Sequence, residues 1–137
     1  MVGYPPRYVL DSYALLAYLY GEASSSAVRG LLRRADSGEV AIFMSVANYG
    51  EALYRTERRW GEPLTRNIAT LVQGLPLELV AADREAASGA AHAKANHRMS
   101  YADAFAVALA LSLDATILTG DPEFHAVEKE VRIEWLA

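Results

Sequence analysis

The sequence predicts an α/β protein: a three-layer α/β/α arrangement with a mostly parallel sheet of four to five strands and helices on both faces. Three observations carry that expectation. Short apolar runs of strand length alternate along the chain with segments of helical spacing, the pattern of parallel strands joined by crossover helices. Tyr101 to Leu113 is apolar nearly all round, so a helix there belongs inside the molecule rather than on it. With 137 residues and 53% hydrophobic content, the chain holds one ordinary core and no second one, so a single domain over 1–137 is expected.

Taken in order, Arg7 to Leu10 follows a Pro-Pro breaker and reads as a first strand, stopped by Asp11-Ser12 and followed by an apolar helix over Tyr13 to Tyr20. Gly21 and the serines at 24 to 26 interrupt the chain. Ala27 to Ala35 then has helical spacing, with Val28, Leu31 and Leu32 inward. Val40 to Met44 is a second strand, and Ser45 is placed to start a helix running through Asn48, Glu51 and Tyr54 to Arg59. Trp60-Gly-Glu-Pro63 ends it. Leu64 to Gln73 is a further helix, Leu77 to Val80 a third strand, and Asp83 caps a helix from Arg84 to about Asn96. The apolar helix gives way at Asp114 to Ala115–Leu118, a buried strand ending in the turn Thr119-Gly-Asp121-Pro122. Alternating Val131, Ile133 and Trp135 predict an edge strand.

Composition narrows the chemistry. The chain has no cysteine, which removes disulfides, thiol catalysis and cysteine-zinc sites, so any metal is held by oxygen. The amino end lacks a basic segment leading a long apolar run, and no apolar stretch reaches membrane-spanning length, so a cytoplasmic protein is expected. A formal charge of -4 argues against wrapping nucleic acid with a basic surface, though not against cutting it. Lys94 and Lys129 are the only lysines; arginines group at Arg29, Arg33 and Arg34 and at Arg55, Arg58, Arg59 and Arg66.

Four acids draw the argument together. A helix that runs straight into a parallel strand is antiparallel to it, so Asp103, at the helix start, and Asp121, just past the strand, share the carboxyl edge of the sheet, where open α/β sheets build their sites. Asp11 follows the first strand to the same edge, and Glu51 lies on a helix that begins there. Each has an ordinary alternative. Asp11 and Asp121 suit helix caps, the latter before a proline; Ser100-Tyr-Ala-Asp103 matches a capping box; and Glu51, on the flank of the Val46, Gly50, Leu53 stripe, suits a surface position. Separate caps need not face one another. Carboxylates gathered within a few ångströms repel unless a cation neutralises them, and carboxylate oxygens suit Mg²⁺ or Mn²⁺.

Val9-Leu-Asp-Ser12, Asn48-Tyr-Gly-Glu51, Ser100-Tyr-Ala-Asp-Ala104 and Thr119-Gly-Asp-Pro-Glu-Phe124, in this order and spacing, resemble the PIN-domain ribonucleases, and the size is similar to the VapC-type toxins of toxin–antitoxin pairs. The resemblance runs over almost the whole chain. It implies a PIN-like fold and a site in which Asp11, Glu51, Asp103 and Asp121 hold the metal and act in catalysis, supported by the hydroxyls of Ser12 and Thr119. Many relatives carry a further aspartate two residues after the last one, where this chain has Glu123, and Glu123 is left outside the metal set. The implied activity is a Mg²⁺- or Mn²⁺-dependent endoribonuclease. The implied partners are an RNA substrate, an antitoxin protein and a second copy of the chain.

Two other classes fit parts of the pattern. A magnesium-dependent phosphatase also sets aspartates at strand ends, but wants a second one where Tyr13 stands; a receiver domain wants a lysine at a late strand end, and Lys94 and Lys129 are poorly placed. A non-catalytic interaction domain would use its acids only as caps, with Tyr4, Tyr18, Tyr20, Tyr54 and Trp60 available for apolar contact. The histidines His92, His97 and His125 lack ligand spacing, and only His125 follows the last motif closely enough to lie near the site.

Overall fold

The computed structural model describes residues 4–136; residues 1–3 and 137, the ends of the expected single domain, lie outside the described residues. The elements run β1 (Arg7–Leu10), α1 (Ser12–Leu19), α2 (Ser25–Asp36), β2 (Ala41–Ser45), α3 (Val46–Trp60), α4 (Glu62–Gln73), β3 (Glu78–Val80), α5 (Arg84–Asn96), α6 (Tyr101–Leu113), β4 (Thr116–Thr119), a 3-10 helix (Pro122–Val127) and β5 (Ile133–Trp135). The sheet is five-stranded in the order β3-β2-β1-β4-β5. Each neighbouring pair is parallel. β1 is therefore central, and Val131 to Trp135 does supply an edge strand, shortened to its last three residues.

Alternation along the strands explains the three layers, because successive side chains point to opposite faces. Val9 and Ile117 face one way and pack with Ala104, Val107 and Ala110 of α6 and Ala90 and Ala93 of α5. Leu10, Ile42 and Leu118 face the other way, onto Ala14 of α1 and Val28, Leu31 and Leu32 of α2. Met44 joins Leu15 and Leu16 of α1, Ala52 of α3 and Ile68 and Val72 of α4. The turn between α3 and α4 needs Gly61, whose φ of 94° falls where a side chain is strained. Trp60-Gly-Glu-Pro63 thus ends one helix, and its Glu62 and Pro63 already belong to the next.

The expectation of a wholly internal α6 holds only for its middle, since Tyr101 at its start is 47% exposed. Asp103 to Val107 and Ala110 are buried, whereas Leu111 is 53% exposed and Ser112 also faces solvent. Asp114 caps the helix in the left-handed conformation with φ 51°. Among the described residues no helix is long and apolar enough to cross a membrane.

Candidate metal centre

Strand register sets the base of the site. Leu10 pairs with Leu118 and Thr119 with Trp135, so Asp11, Thr119 and Trp135 lie side by side at the carboxyl edge, on the face covered by α6. Asp11 is fully buried, and both its oxygens are committed. Oδ1 accepts from the Ala14 N–H at 2.9 Å, capping α1, and Oδ2 accepts from the Thr119 hydroxyl at 2.5 Å. That hydroxyl in turn accepts from the Asp121 N–H at 3.0 Å, so one threonine ties the turn carrying Asp121 to the end of β1. Asp121 also caps the 3-10 helix, accepting from the Glu123 N–H at 2.9 Å.

The capping reading is thus realised at Asp11 and Asp121, each of which accepts a helix-end N–H. It is not realised at Asp103. The Ser100 hydroxyl accepts from the Asp103 N–H at 3.1 Å, which is half of a capping box, but the other half is filled from elsewhere. The Ser100 N–H donates to Glu123 Oε1 at 3.0 Å, so the 3-10 helix closes the box that Asp103 was expected to close. Asp103 is left with its carboxyl buried, 3% exposed, and facing other acids. Asp103, Asp121 and Glu123 each offer an oxygen, all within 4.8 Å of one another. Among the described residues no arginine, lysine or histidine pairs with any of them.

The electrostatic consequence is large. Burial, then the charges of Asp11, Asp121 and Glu123, push the Asp103 carboxyl from 3.8 up to about 8. Burial likewise raises Asp11 to about 7, although the Thr119 hydroxyl and the Ala14 N–H pull against it and only Asp121 adds to it. Asp11 at a strand end and Asp103 at a helix start both hold their protons near neutrality, which marks this edge as a candidate functional site.

Of the expected set, then, Asp103 and Asp121 converge directly, and Asp11 stands behind them within electrostatic reach. Glu51 lies to one side. It is half-buried and its Oε1 accepts from the Ser12 hydroxyl, which joins α3 to α1 and gives Ser12 its supporting contact. Glu123, left outside the metal set on sequence, offers an oxygen together with Asp103 and Asp121. His125 sits beyond the acids, bonded to Glu128 at 2.7 Å and stacked on Trp135.

The sequence of the whole domain agrees with this geometry, for residues 8–130 match the profile of the PIN domain. The chain belongs to the PIN domain family. Its fold superposes on VapBC2 of Rickettsia felis, solved bound to a DNA fragment from its promoter, with a TM-score of 0.76 at 13% identity, covering 96% of this chain and 99% of that one. It is similar to VapC20 of Mycobacterium tuberculosis, described as a toxin that cleaves the sarcin-ricin loop, with a TM-score of 0.71 at 18% identity over 88% of this chain and 94% of that one. DNA-bound VapBC of Salmonella typhimurium gives a TM-score of 0.71 at 17% identity, covering 96% and 99%. No curated protein matches the chain by sequence.

Two residues of this PIN domain were not legible as site residues. Glu123 was discounted because it is not the expected aspartate, yet its longer side chain spans from the 3-10 helix to the start of α6. Asn48 stood in a motif without a role. It is fully buried, donates from Nδ2 to the Ala102 carbonyl at 3.1 Å, and so pins α3 to the first turn of α6, immediately before Asp103. Among the described residues its Oδ1 has no partner. The available signal was a stripe of small and polar residues, Asn48, Ala52 and Thr56, at four-residue spacing on one face of α3, which is the face the structure buries.

Proposed function

We propose that the chain is a Mg²⁺- or Mn²⁺-dependent endoribonuclease acting as the toxin of a toxin–antitoxin pair. The observation that carries this reading is the oxygen cluster of Asp103, Asp121 and Glu123, within 4.8 Å and paired with no cationic side chain among the described residues. The donor set fits the ion: carboxylate oxygens alone, in a chain without cysteine and with no histidine among them, suit a hard divalent cation. Asp103 and Asp121 would be ligands, with Glu123 beside them. Asp11 would serve by its charge and by fixing the turn through Thr119, and Glu51 from the Ser12 side of the cleft.

When bound, the ion supplies a polarised water and neutralises charge on the phosphate oxygens. The protein's part is arrangement. Thr119 holds Asp11 and Asp121 in register. Glu123, anchored through Oε1 on the Ser100 N–H, offers an oxygen beside Asp103 and Asp121. One of these carboxylates accepts the proton of the attacking water. RNA is the substrate this reading favours, in keeping with the name borne by one structural relative, and work on RNA would place the protein in the cytoplasm.

The cap-only reading fails to explain Asp103, which caps nothing. A phosphatase-like reading needs a second acid where Tyr13 stands; the ring of Tyr13 is instead laid against Gly120, so close that a Cβ there would fall 2.4 Å from it. A protein partner belongs to the same proposal, since two structural relatives are described as toxin–antitoxin systems. Tyr54, Trp60 and Leu71, each about half exposed along α3 and α4, offer the apolar contact an antitoxin would cover, and a homodimer is the simplest assembly of the toxin itself.

The test is cleavage of single-stranded RNA in Mn²⁺ by the purified chain and by Asp103→Asn. We expect the parent to cut and chelation to stop it, with the variant slower by roughly 10²- to 10³-fold, the usual loss when a preorganised charge is removed from a reacting centre. Equal rates for parent and variant would sink the reading.

A further inference from the structure

Beside the acids lies an aromatic pair that the reading so far does not use. Trp135 ends β5 as the register partner of Thr119, whose hydroxyl holds Asp11. Its ring carries His125 stacked upon it, centroids 4.3 Å apart and planes 25° from parallel. Glu128 fastens both: Oε1 bonds His125 Nδ1 at 2.7 Å, and Oε2 accepts from Trp135 Nε1 at 3.3 Å. The 3-10 helix brings His125 to that place, because Phe124 and Val127 turn into the core while the histidine faces out. With one face on tryptophan and the side chain still 61% exposed, the open surface of the imidazole is its outer face and edge.

A packed, surface-facing ring with a free π-face is unusual in a soluble domain, since an exposed histidine ordinarily moves freely. Here it is pinned from below and from the side. The Trp135 backbone stands roughly 10 Å from that of Asp11, two strand spacings along the same edge, which brings the pair within reach of a nucleotide neighbouring one held at the acids. Stacking surfaces of this kind receive bases of single strands without demanding a particular sequence. The site's own charge cannot attract such a strand, so contacts beside it have to position the chain.

We propose that the His125–Trp135 stack is a shelf for the nucleobase flanking the scissile phosphate, making His125 a substrate-positioning residue. The inference rests on the nuclease reading above and names a contact that reading lacks.

The experiment compares the parent, His125→Ala and His125→Phe on a short single-stranded RNA in Mn²⁺, and on the same RNA carrying one abasic residue at successive positions. Binding of each RNA is read alongside by anisotropy, and thermal melting checks that each variant is folded. His125→Ala should raise KM roughly 5- to 150-fold, the range for loss of one stacked base, with little change in kcat. His125→Phe, which keeps a flat ring, should restore most of it. One abasic position should penalise the parent but add nothing to His125→Ala, a result that a merely structural histidine would not give. A parental KM in His125→Ala, or an undiminished abasic penalty in that variant, overturns the shelf while leaving the nuclease intact. A parent that neither binds nor cuts RNA overturns the nuclease reading and the shelf with it.

Discussion

The two edges of the sheet treat their acids in opposite ways. At the amino edge, Asp114 caps α6 with its side chain 91% exposed, and Arg132 reaches both its carboxylate at 3.2 Å and its carbonyl at 2.8 Å. Arg7 completes that end by donating to the Leu113 carbonyl at 3.1 Å. At the carboxyl edge, Asp11 and Asp103 are buried, Asp121 and Glu123 crowd them, and no guanidinium approaches among the described residues. An acid met by water and arginine costs the fold little. Acids set against one another in a low dielectric raise each other's pKa, and a fold keeps such an arrangement where function requires it.

The largest effects should come from the crowded edge, with stability and activity moving in opposite directions. Asp103→Asn removes a buried ionisable group that caps nothing. Cleavage should fall by orders of magnitude while the metal-free protein melts at a higher temperature, because an amide has no proton that unfolding would release near neutral pH, whereas the Asp103 carboxyl, held up to about 8 in the fold, ionises once the chain unfolds. A variant that loses activity and also loses stability would mean Asp103 is a structural residue after all. Thr119→Val comes next. It keeps the shape but strips Oδ2 of Asp11 of its donor and the Asp121 N–H of its acceptor, at a cost of about 1–3 kcal/mol in denaturant unfolding. Activity should drop with it, since the turn carrying Asp121 is no longer tied to β1.

How much of this was readable beforehand differs between fold and site. β1, β2 and β4 were legible as short apolar runs, and the edge strand β5 from the alternation of Val131, Ile133 and Trp135. Asp103 and Asp121 could be brought together from connectivity alone, since a helix feeding a parallel strand returns to the same edge. What connectivity could not supply was side-chain reach. Whether Ser100's N–H would be met by Asp103 or by Glu123 depends on where the 3-10 helix sits, and that is decided by Phe124 and Val127 packing beneath it. The sideways bond from Ser12 to Glu51 likewise depends on the rotation of α3, which is set by the buried Asn48–Ala52–Thr56 stripe. Helical spacing alone put apolar Val46, Gly50 and Leu53 forward.

The comparison can be sharpened by pH. Both buried carboxyls hold protons in the folded chain up to about 7 for Asp11 and about 8 for Asp103, whereas the ordinary value is 3.8. Between those limits the folded state binds more protons than the unfolded one, so stability falls as pH rises. The metal-free parent should therefore lose melting temperature between about pH 4 and pH 8, the span from the ordinary value to the raised one, relative to Asp103→Asn, whose curve is flatter. Adding Mg²⁺ at the alkaline end should recover the loss, and do so less at the acid end, where protons compete for the same oxygens. Parallel curves for parent and variant, with or without Mg²⁺, would place the carboxyls in contact with solvent.

The smallest effect should come from the other edge. Asp114→Asn removes one exposed ion pair, a contribution of under about 1 kcal/mol that salt already screens. Asparagine tolerates the left-handed backbone at this position nearly as well as glycine does, so the helix end keeps its geometry. Arg132 retains the Asp114 carbonyl as an acceptor whichever side chain is present. Melting temperature should move little and RNA cleavage not at all, measured beside Asp103→Asn in the same assay. Both substitutions exchange an aspartate for an asparagine in the same helix-and-cap segment, ten or so residues apart. If they had similar consequences, burial and mutual repulsion would not be what sets the carboxyl edge apart.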